Sequence, residues 1–213
     1  MVQTVSRKAG ADSSANTKTA PPLAGKNGGE QGNVSPRLRQ DAAQTQGFGE
    51  IVKLPNGLSE DVCMKSVTAL NQTLADTMTL RDMYKKHHWQ VVGPTFNQLH
   101  LLYDKHFEEQ AALVDVLAER IQVLGGISVA MAADVAELTS IERPPKGREP
   151  AAVQLSRLIH AHEAIIIEAR KFSEEVDDAG DFGSNDVLVS NILRTNELQM
   201  WFLSEHLVAA SPV

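Results

Sequence analysis

The sequence predicts an all-α fold of four long helices, with a short helix between the second and third, and three observations predict it. Apolar residues recur at three- and four-residue spacing through four long stretches. Glycine and proline fall between those stretches, at Gly93-Pro94, Gly125-Gly126 and Pro144-Pro145. Hydrophobic residues make up 42 % of the chain but aromatic ones only 5 %, a composition for a core of Leu, Val, Ile and Ala rather than of rings. The length of 213 residues suits one domain and a tail.

The tail is expected over residues 1–56 and the domain over 57–210. Gly, Ala, Ser, Thr, Gln and Asn dominate the first segment, which cannot bury enough surface to offset its ordering entropy, so most of it is expected to be disordered. Phe48, Ile51 and Leu54 are the residues that could dock. The net charge of −7 is unevenly divided: residues 1–53 carry +3 and the remaining 160 carry −10. Arg7, Lys8, Lys18, Lys26, Arg37 and Arg39 supply most of the positive charge.

The first long helix is expected to start after Ser59, whose hydroxyl suits an N-cap and is followed by Glu60 and Asp61 at the positive end of the helix dipole. Val67, Leu70, Leu74, Met78 and Met83 or Tyr84 form its inward stripe, and it ends at 88–91, before Gly93-Pro94. The second spans 95–124, with Phe96, Leu99, Leu102, Tyr103, Leu113, Leu117, Ile121 and Leu124 at helical spacing.

The second helix carries the informative pattern. His100 and Asp104 are i,i+4 neighbours, and so are Asp115 and Glu119. All four fall within an arc of about 100° on one face, yet Asp104 and Asp115 are separated by about 16 Å along the axis, too far to share a metal. The two pairs are placed symmetrically about residues 109 and 110. An antiparallel copy of the helix therefore sets Asp104 against the partner's Asp115 and His100 against the partner's Glu119, giving two equivalent sites about 22 Å apart. His88, at the end of the first helix, can reach in as a further ligand. Any one of these residues alone is an ordinary helix charge or a satisfied histidine; five in symmetric register make a metal site.

At these residues the sequence resembles the Dps family, the twelve-subunit mini-ferritins: His88-Trp89, Gly93-Pro94, Phe96, Leu99-His100, Asp104, Asp115, Ala118-Glu119-Arg120 and Leu124-Gly125-Gly126 carry the likeness. The resemblance implies a ferritin-like four-helix bundle assembled as a hollow dodecamer. It implies a two-metal ferroxidase centre at each two-fold contact, which oxidises Fe(II), preferably with hydrogen peroxide, dioxygen being the other oxidant. Its residues would be His88, His100 and Asp104 of one subunit and Asp115 and Glu119 of its mate. Adjacent helical residues point about 100° apart, so His87 and His88 cannot both face that site. The resemblance selects His88 and leaves His87 expected at the surface with Lys85 and Lys86. Some members bind DNA through Lys-rich tails, and the tail here is weakly basic, so a DNA-coating cage is the alternative function.

After Gly126, Ile127 to Leu138 reads as a short helix and Arg143-Pro144-Pro145 as a stiff connection. The third long helix is expected over 150–178, with Val153, Leu155, Leu158, Ile159, Ile165, Ile166, Ala169, Phe172 and Val176 apolar. His160 and His162 face different sides and make a poor metal pair; with His106 and His206 they are read as structural or surface.

From Phe172 to Leu193 there are six acids and no Lys or Arg. Such a run is ordinarily a solvated face, but around a three-fold axis each acid is tripled and the ring draws cations inward. The segment DDAGDFGSND is similar to the family's three-fold pore, with Asp177, Asp181 and Asp186 at pore positions and Phe182 where some relatives carry another acid.

The fourth helix is expected over 184–209, packing through Val187, Leu188, Ile192, Leu198, Trp201, Phe202 and Leu207, and too little chain follows it for a C-terminal DNA-binding tail. Trp89, beside a ligand, and Trp201, which matches a tryptophan of the family, are candidate electron donors to an oxidising iron pair. The competing reading, a di-iron site inside one bundle, needs Glu-x-x-His pairs. The residues three before the seven histidines are Tyr84, Lys85, Asn97, Tyr103, Arg157, Ile159 and Leu203, and none is Glu. Zinc or manganese are substitutes that can also occupy a His/carboxylate site, since affinity does not by itself select iron. One cysteine, Cys63, excludes an intramolecular disulfide, no apolar run is long enough for a membrane span, and the protein is expected in the cytoplasm, on the nucleoid if the tail binds DNA.

Overall fold

The computed structural model describes Pro36 and residues 38–208. The chain divides into two units, Met1–Ala42 and Ala43–Val213. In the first, the described residues form neither helix nor strand, and the expected disorder of the tail lies outside the described residues. The second is all-helical. It comprises α1 (Glu60–Gln90), α2 (Phe96–Val123), α3 (Ala132–Leu138), α4 (Ala151–Asp178) and α5 (Phe182–Asp186), then a π-helical segment, Val187–Leu193, that runs directly into α6 (Arg194–Glu205). The last three form one continuous fourth helix. α1 packs on α2 and α4, α4 on the fourth helix, and the fourth helix on α2, which closes a four-helix bundle.

Ser59 caps α1 as its sequence suggests, its Oγ accepting from the Val62 amide at 3.3 Å. Leu70, Leu74, Leu80, Leu117, Ile121 and Leu158 are fully buried at the centre. Each contributes on the order of 1.5–3 kcal/mol relative to exposure. Met83 and Tyr84 are both buried, so α1 uses both candidates for its last inward position. Phe96 and Val153, expected inside, are 45 % and 39 % exposed at the starts of their helices.

Glycine ends α2 for a steric reason. Gly125 has φ +82°, and a Cβ there would lie 1.9 Å from the Val52 carbonyl oxygen. The Val52 amide and the Gln46 side chain each donate to the Gly125 carbonyl at 2.9 Å, and Asn56 Nδ2 donates to the Val123 carbonyl at 3.3 Å. The folded unit thus reaches back to Ala43, and residues 43–56, assigned by composition to the tail, are instead tied across the end of α2 by backbone and amide hydrogen bonds. Of the docking candidates only Ile51 packs on the core; Phe48 and Leu54 are exposed.

Three other expectations are corrected. The short helix begins at Ala132, after an irregular stretch from Ile127. The fourth helix ends at Glu205 rather than near 209; of the residues beyond it, 209–213 lie outside the described residues. Its inner face also differs. The wider π winding turns both Ile192 and Leu193 inward and rotates the remainder of the helix, so that Asn196, Gln199 and Leu203 are buried, while Leu198, Trp201, Phe202 and Leu207 are exposed.

The largest departure is at the histidines. His87, expected at the surface, is fully buried against Tyr103, because Tyr84 and Met83 bring this face of α1 into the core. His106 and His162 are buried too, while His160 and His206 are exposed. Burial depresses the basicity of His87 and His106 to about 4 and of His162 to about 3. In the unfolded chain these rings protonate near 6.5, so below that pH the unfolded state binds more protons than the native one. Stability is therefore complete above about pH 6.5 and is lost as pH falls towards 4, by about 1.4 kcal/mol per pH unit for each buried histidine. Neither nitrogen of His87 has a hydrogen-bond partner among the described residues, so His87→Leu removes one such proton without breaking a bond seen there. Urea unfolding at fixed protein concentration is expected to give a shallower stability slope between pH 6.5 and 4 in this variant; an unchanged slope counts against a neutral His87.

Candidate metal centre

The five-residue turn 91–95 folds the end of α1 back beside the start of α2, and this brings His88 and His100 together. Their rings stack with centroids 3.7 Å apart and planes 21° from parallel. Each ring also meets the other's backbone: His88 Nδ1 lies 2.8 Å from the His100 carbonyl oxygen, and His100 Nδ1 lies 3.0 Å from that of His88. A carbonyl only accepts, so both Nδ1 atoms carry the proton and donate it. The reciprocal pair fixes both tautomers and leaves both Nε2 lone pairs free, the arrangement of metal-binding imidazoles.

Asp104, one turn beyond His100, has Oδ1 3.8 Å from His88 Nδ1. The same oxygen accepts from Lys85 Nζ at 2.5 Å, and that hydrogen bond holds the carboxyl below the usual range. Lys85, expected to be a bystander, is thus the cation at this carboxylate. Asp115 and Glu119 are exposed further along α2, without an ion pair or side-chain hydrogen bond among the described residues. Three of the sequence-derived ligands thus gather at one end of an open helix face and two stand apart at the other. Among the described residues of one chain, no group of three or more His, Cys, Asp or Glu side chains is arranged to hold a metal.

The acid run after α4 is divided by the structure. Asp177 and Asp186 are exposed, Asp186 accepting from Ser190 Oγ at 2.7 Å, and Phe182 is 71 % exposed. Asp181, expected at the pore, is only 1 % exposed and caps α5. It accepts from the Ser184 amide at 3.0 Å, from Ser184 Oγ at 2.6 Å and from Arg120 at 2.5 Å. Burial works to raise its pKa, but the hydrogen bonds from Ser184, with the Arg120 charge, hold it below the usual range. The Asp-x-x-Ser spacing of a capping residue was the available signal.

Trp89 and Trp201 are 72 % and 54 % exposed, and Trp201 Nε1 donates to Glu205 at 2.9 Å. Of the basic tail residues, Arg7, Lys8, Lys18, Lys26 and Arg37 lie outside the described residues, and Arg39 is exposed.

Sequence reasoning missed a polar network inside the bundle. Tyr84 on α1, His106 and Gln110 on α2, His162 on α4, and Asn196 and Gln199 on α6 are all buried and joined by hydrogen bonds. The signal was their position: His106 and Gln110 continue the inward stripe from Tyr103 to Leu113.

A family model for the ferritin-like domain matches residues 67–211. The chain is 48 % identical over 146 residues to an uncharacterized protein of Kitasatospora aureofaciens, a match covering 68 % of this chain and 97 % of that protein. It is 30 % identical over 152 residues to a nutrient stress-induced DNA-binding protein of a Nostoc strain, covering 71 % and 83 % respectively. The solved structure of DpsC from Streptomyces coelicolor superposes with a TM-score of 0.79 at 48 % identity, covering 80 % of this chain and 99 % of that one.

Removing the charge of Asp181 leaves Arg120 partly buried and unpaired. Asp181→Asn is expected to lower stability by on the order of 3 kcal/mol, whereas Asp177→Asn and Asp186→Asn leave it nearly unchanged. Equal melting temperatures for the three variants would contradict this division.

Proposed function

This chain belongs to the Dps family of ferritin-like proteins, and from that premise we propose that it is an iron-storing, iron-detoxifying cage that protects DNA from oxidative damage. Twelve copies assemble into a hollow shell, and each two-fold contact completes two ferroxidase sites. His88, His100 and Asp104 of one subunit bind Fe(II) together with Asp115 and Glu119 of its mate. Paired Fe(II) ions give one electron each to hydrogen peroxide, whose O–O bond breaks and which leaves as water after taking up protons. Dioxygen is the second oxidant, and the Fe(III) formed is stored inside. The observation that carries this reading is the reciprocal His88/His100 pair, whose Nδ1 protons are held by backbone carbonyls so that Nε2 is left as each ring's donor atom, with Asp104 Oδ1 3.8 Å from His88 Nδ1. Zinc and manganese are proposed to compete for the same ligands, since donor type alone does not select iron.

Asp177 and Asp186, without Asp181, form the proposed acidic entry at the three-fold axis. The net positive charge of residues 1–42 supports a second role. In that role the cage coats DNA, an activity named for the Nostoc relative. A reducing, cytoplasmic location fits the single cysteine.

The sites are tested by complementation. His100→Ala/Asp104→Ala cages are expected to oxidise Fe(II) slowly with peroxide, and so are Asp115→Ala/Glu119→Ala cages. In a mixed dimer one site keeps all five ligands, so co-assembly from denaturant is expected to restore part of the activity. No recovery in verified mixed dodecamers would place each site within one chain, and a stable, active monomer by light scattering would end the proposal. For the entry, Asp177→Asn/Asp186→Asn is expected to slow iron uptake and weaken its salt dependence, because salt screens such a field over about 8–10 Å near physiological strength. Unchanged uptake at low salt would assign iron another route.

A further inference from the structure

The chain has two tyrosines, both fully buried, with ring centroids 6.1 Å apart, and their hydroxyls stand in opposite situations. The Tyr103 hydroxyl has no hydrogen-bond partner among the described residues. The Tyr84 oxygen lies 2.5 Å from His162 Nε2 and 3.0 Å from His106 Nδ1.

The partners set the direction of each hydrogen bond. Asn196 donates its Nδ2 to the Ile192 carbonyl at 2.7 Å, which turns its Oδ1 towards His162 Nδ1 at 2.8 Å. His162 Nδ1 therefore carries the proton, Nε2 offers a lone pair, and the Tyr84 O–H donates to it. The Tyr84 oxygen is then the acceptor for His106 Nδ1–H. A phenol gives up an electron readily only when its proton can leave in the same event, because the phenol radical cation is a very strong acid. Tyr84 has a base in line to take that proton, and Tyr103 has none.

Tyr84 also lies close to the ligands. It precedes His88 by four residues on α1, one turn or about 6 Å along the axis, a span an electron crosses easily. Trp89 and Trp201 are more than half exposed on the single chain, whereas Tyr84 is enclosed by the bundle itself.

We propose that Tyr84 is a buried redox residue that quenches one-electron oxidants escaping the iron chemistry, using His162 as its proton acceptor. The inference rests on the peroxide reaction proposed above. When peroxide meets a single Fe(II), it yields an oxidant of the hydroxyl-radical class. One electron from Tyr84 converts that oxidant to hydroxide; the phenol O–H bond breaks and the proton passes to His162 Nε2, leaving a neutral phenoxyl radical beside an imidazolium. Asn196 Oδ1 continues to accept from Nδ1 and supports the imidazolium. A later Fe(II) returns one electron, becoming Fe(III), while the proton goes back to the phenol oxygen. His106 Nδ1–H stays directed at that oxygen throughout.

Two oxidants separate this inference from the iron reading. In the first experiment a flash-generated ruthenium(III) polypyridyl oxidises metal-free cages, followed by the near-ultraviolet band and EPR signal of a neutral tyrosyl radical. The signal is expected in the unaltered protein and in Tyr103→Phe and is expected to vanish in Tyr84→Phe. Its yield is expected to fall several-fold in His162→Gln. The EPR g-shift reports a hydrogen bond to the radical oxygen; measured in His106→Phe, where His162 is the remaining donor, it tests the His162 contact even if His162→Gln does not fold. A signal that follows Tyr103, persists without Tyr84 or shows no hydrogen bond overturns the inference. In the second experiment Fe(II) and peroxide are mixed and freeze-quenched. A Tyr84 radical there supports the proposal. Rapid iron oxidation with no Tyr84 radical overturns it and leaves the iron reading standing, whereas failure of iron oxidation overturns both.

Discussion

A neutral imidazole is buried at least cost when one of its nitrogens meets an acceptor and the other a donor, and the bundle's interior, though not at His87, meets that demand at His162. Its Nδ1 requires an acceptor from the fourth helix, which Asn196 supplies, and its Nε2 requires a donor from the first, which Tyr84 supplies. Gln110 of α2 then meets Asn196 at 3.2 Å and Gln199 at 3.0 Å, and Gln199 reaches back to Glu109 at 2.8 Å. Leucine contacts tolerate sliding; these contacts do not. A slip of one residue in any helix would leave a buried amide or ring unpaired, at a cost of about 1–3 kcal/mol per group. The apolar stripes bring four helices together, and this network fixes their register.

The π-helical segment belongs to the same constraint. Without the extra winding between Val187 and Leu193, Leu193 would turn away from the core and Asn196 would not face His162 as it does. This explains why apolar periodicity found α1, α2 and α4 to within one or two residues and misjudged the inner face of the fourth helix. Counting hydrophobic residues favours Leu198, Trp201 and Phe202, whereas the core there takes two amides. His87 was misread for a related reason: choosing between adjacent histidines sends one inward and one to the site, and inward on α1 means into the bundle rather than into solvent.

The candidate centre was legible to the extent that it depends on spacing. The i,i+4 pairs on α2 and the position of His88 just before a Gly-Pro turn suffice to bring His88, His100 and Asp104 to one end of a helix face. What spacing does not carry is who holds each side chain. The crossed hydrogen bonds to backbone carbonyls depend on the turn's path, and the Lys85 contact depends on the rotation of α1 against α2. Asp181 illustrates the opposite error. Its place in an acidic run suggests a charge facing water, while Ser184 and Arg120 claim all of it for the fold.

Lys85 gives the centre a property that its ligands alone do not have. Its ammonium is hydrogen-bonded to Asp104 Oδ1, so in the proposed centre a divalent cation that took this oxygen would displace it. The released ammonium sits at the end of a flexible stem and remains within a few ångströms, as a mobile counter-charge for whatever anion comes next.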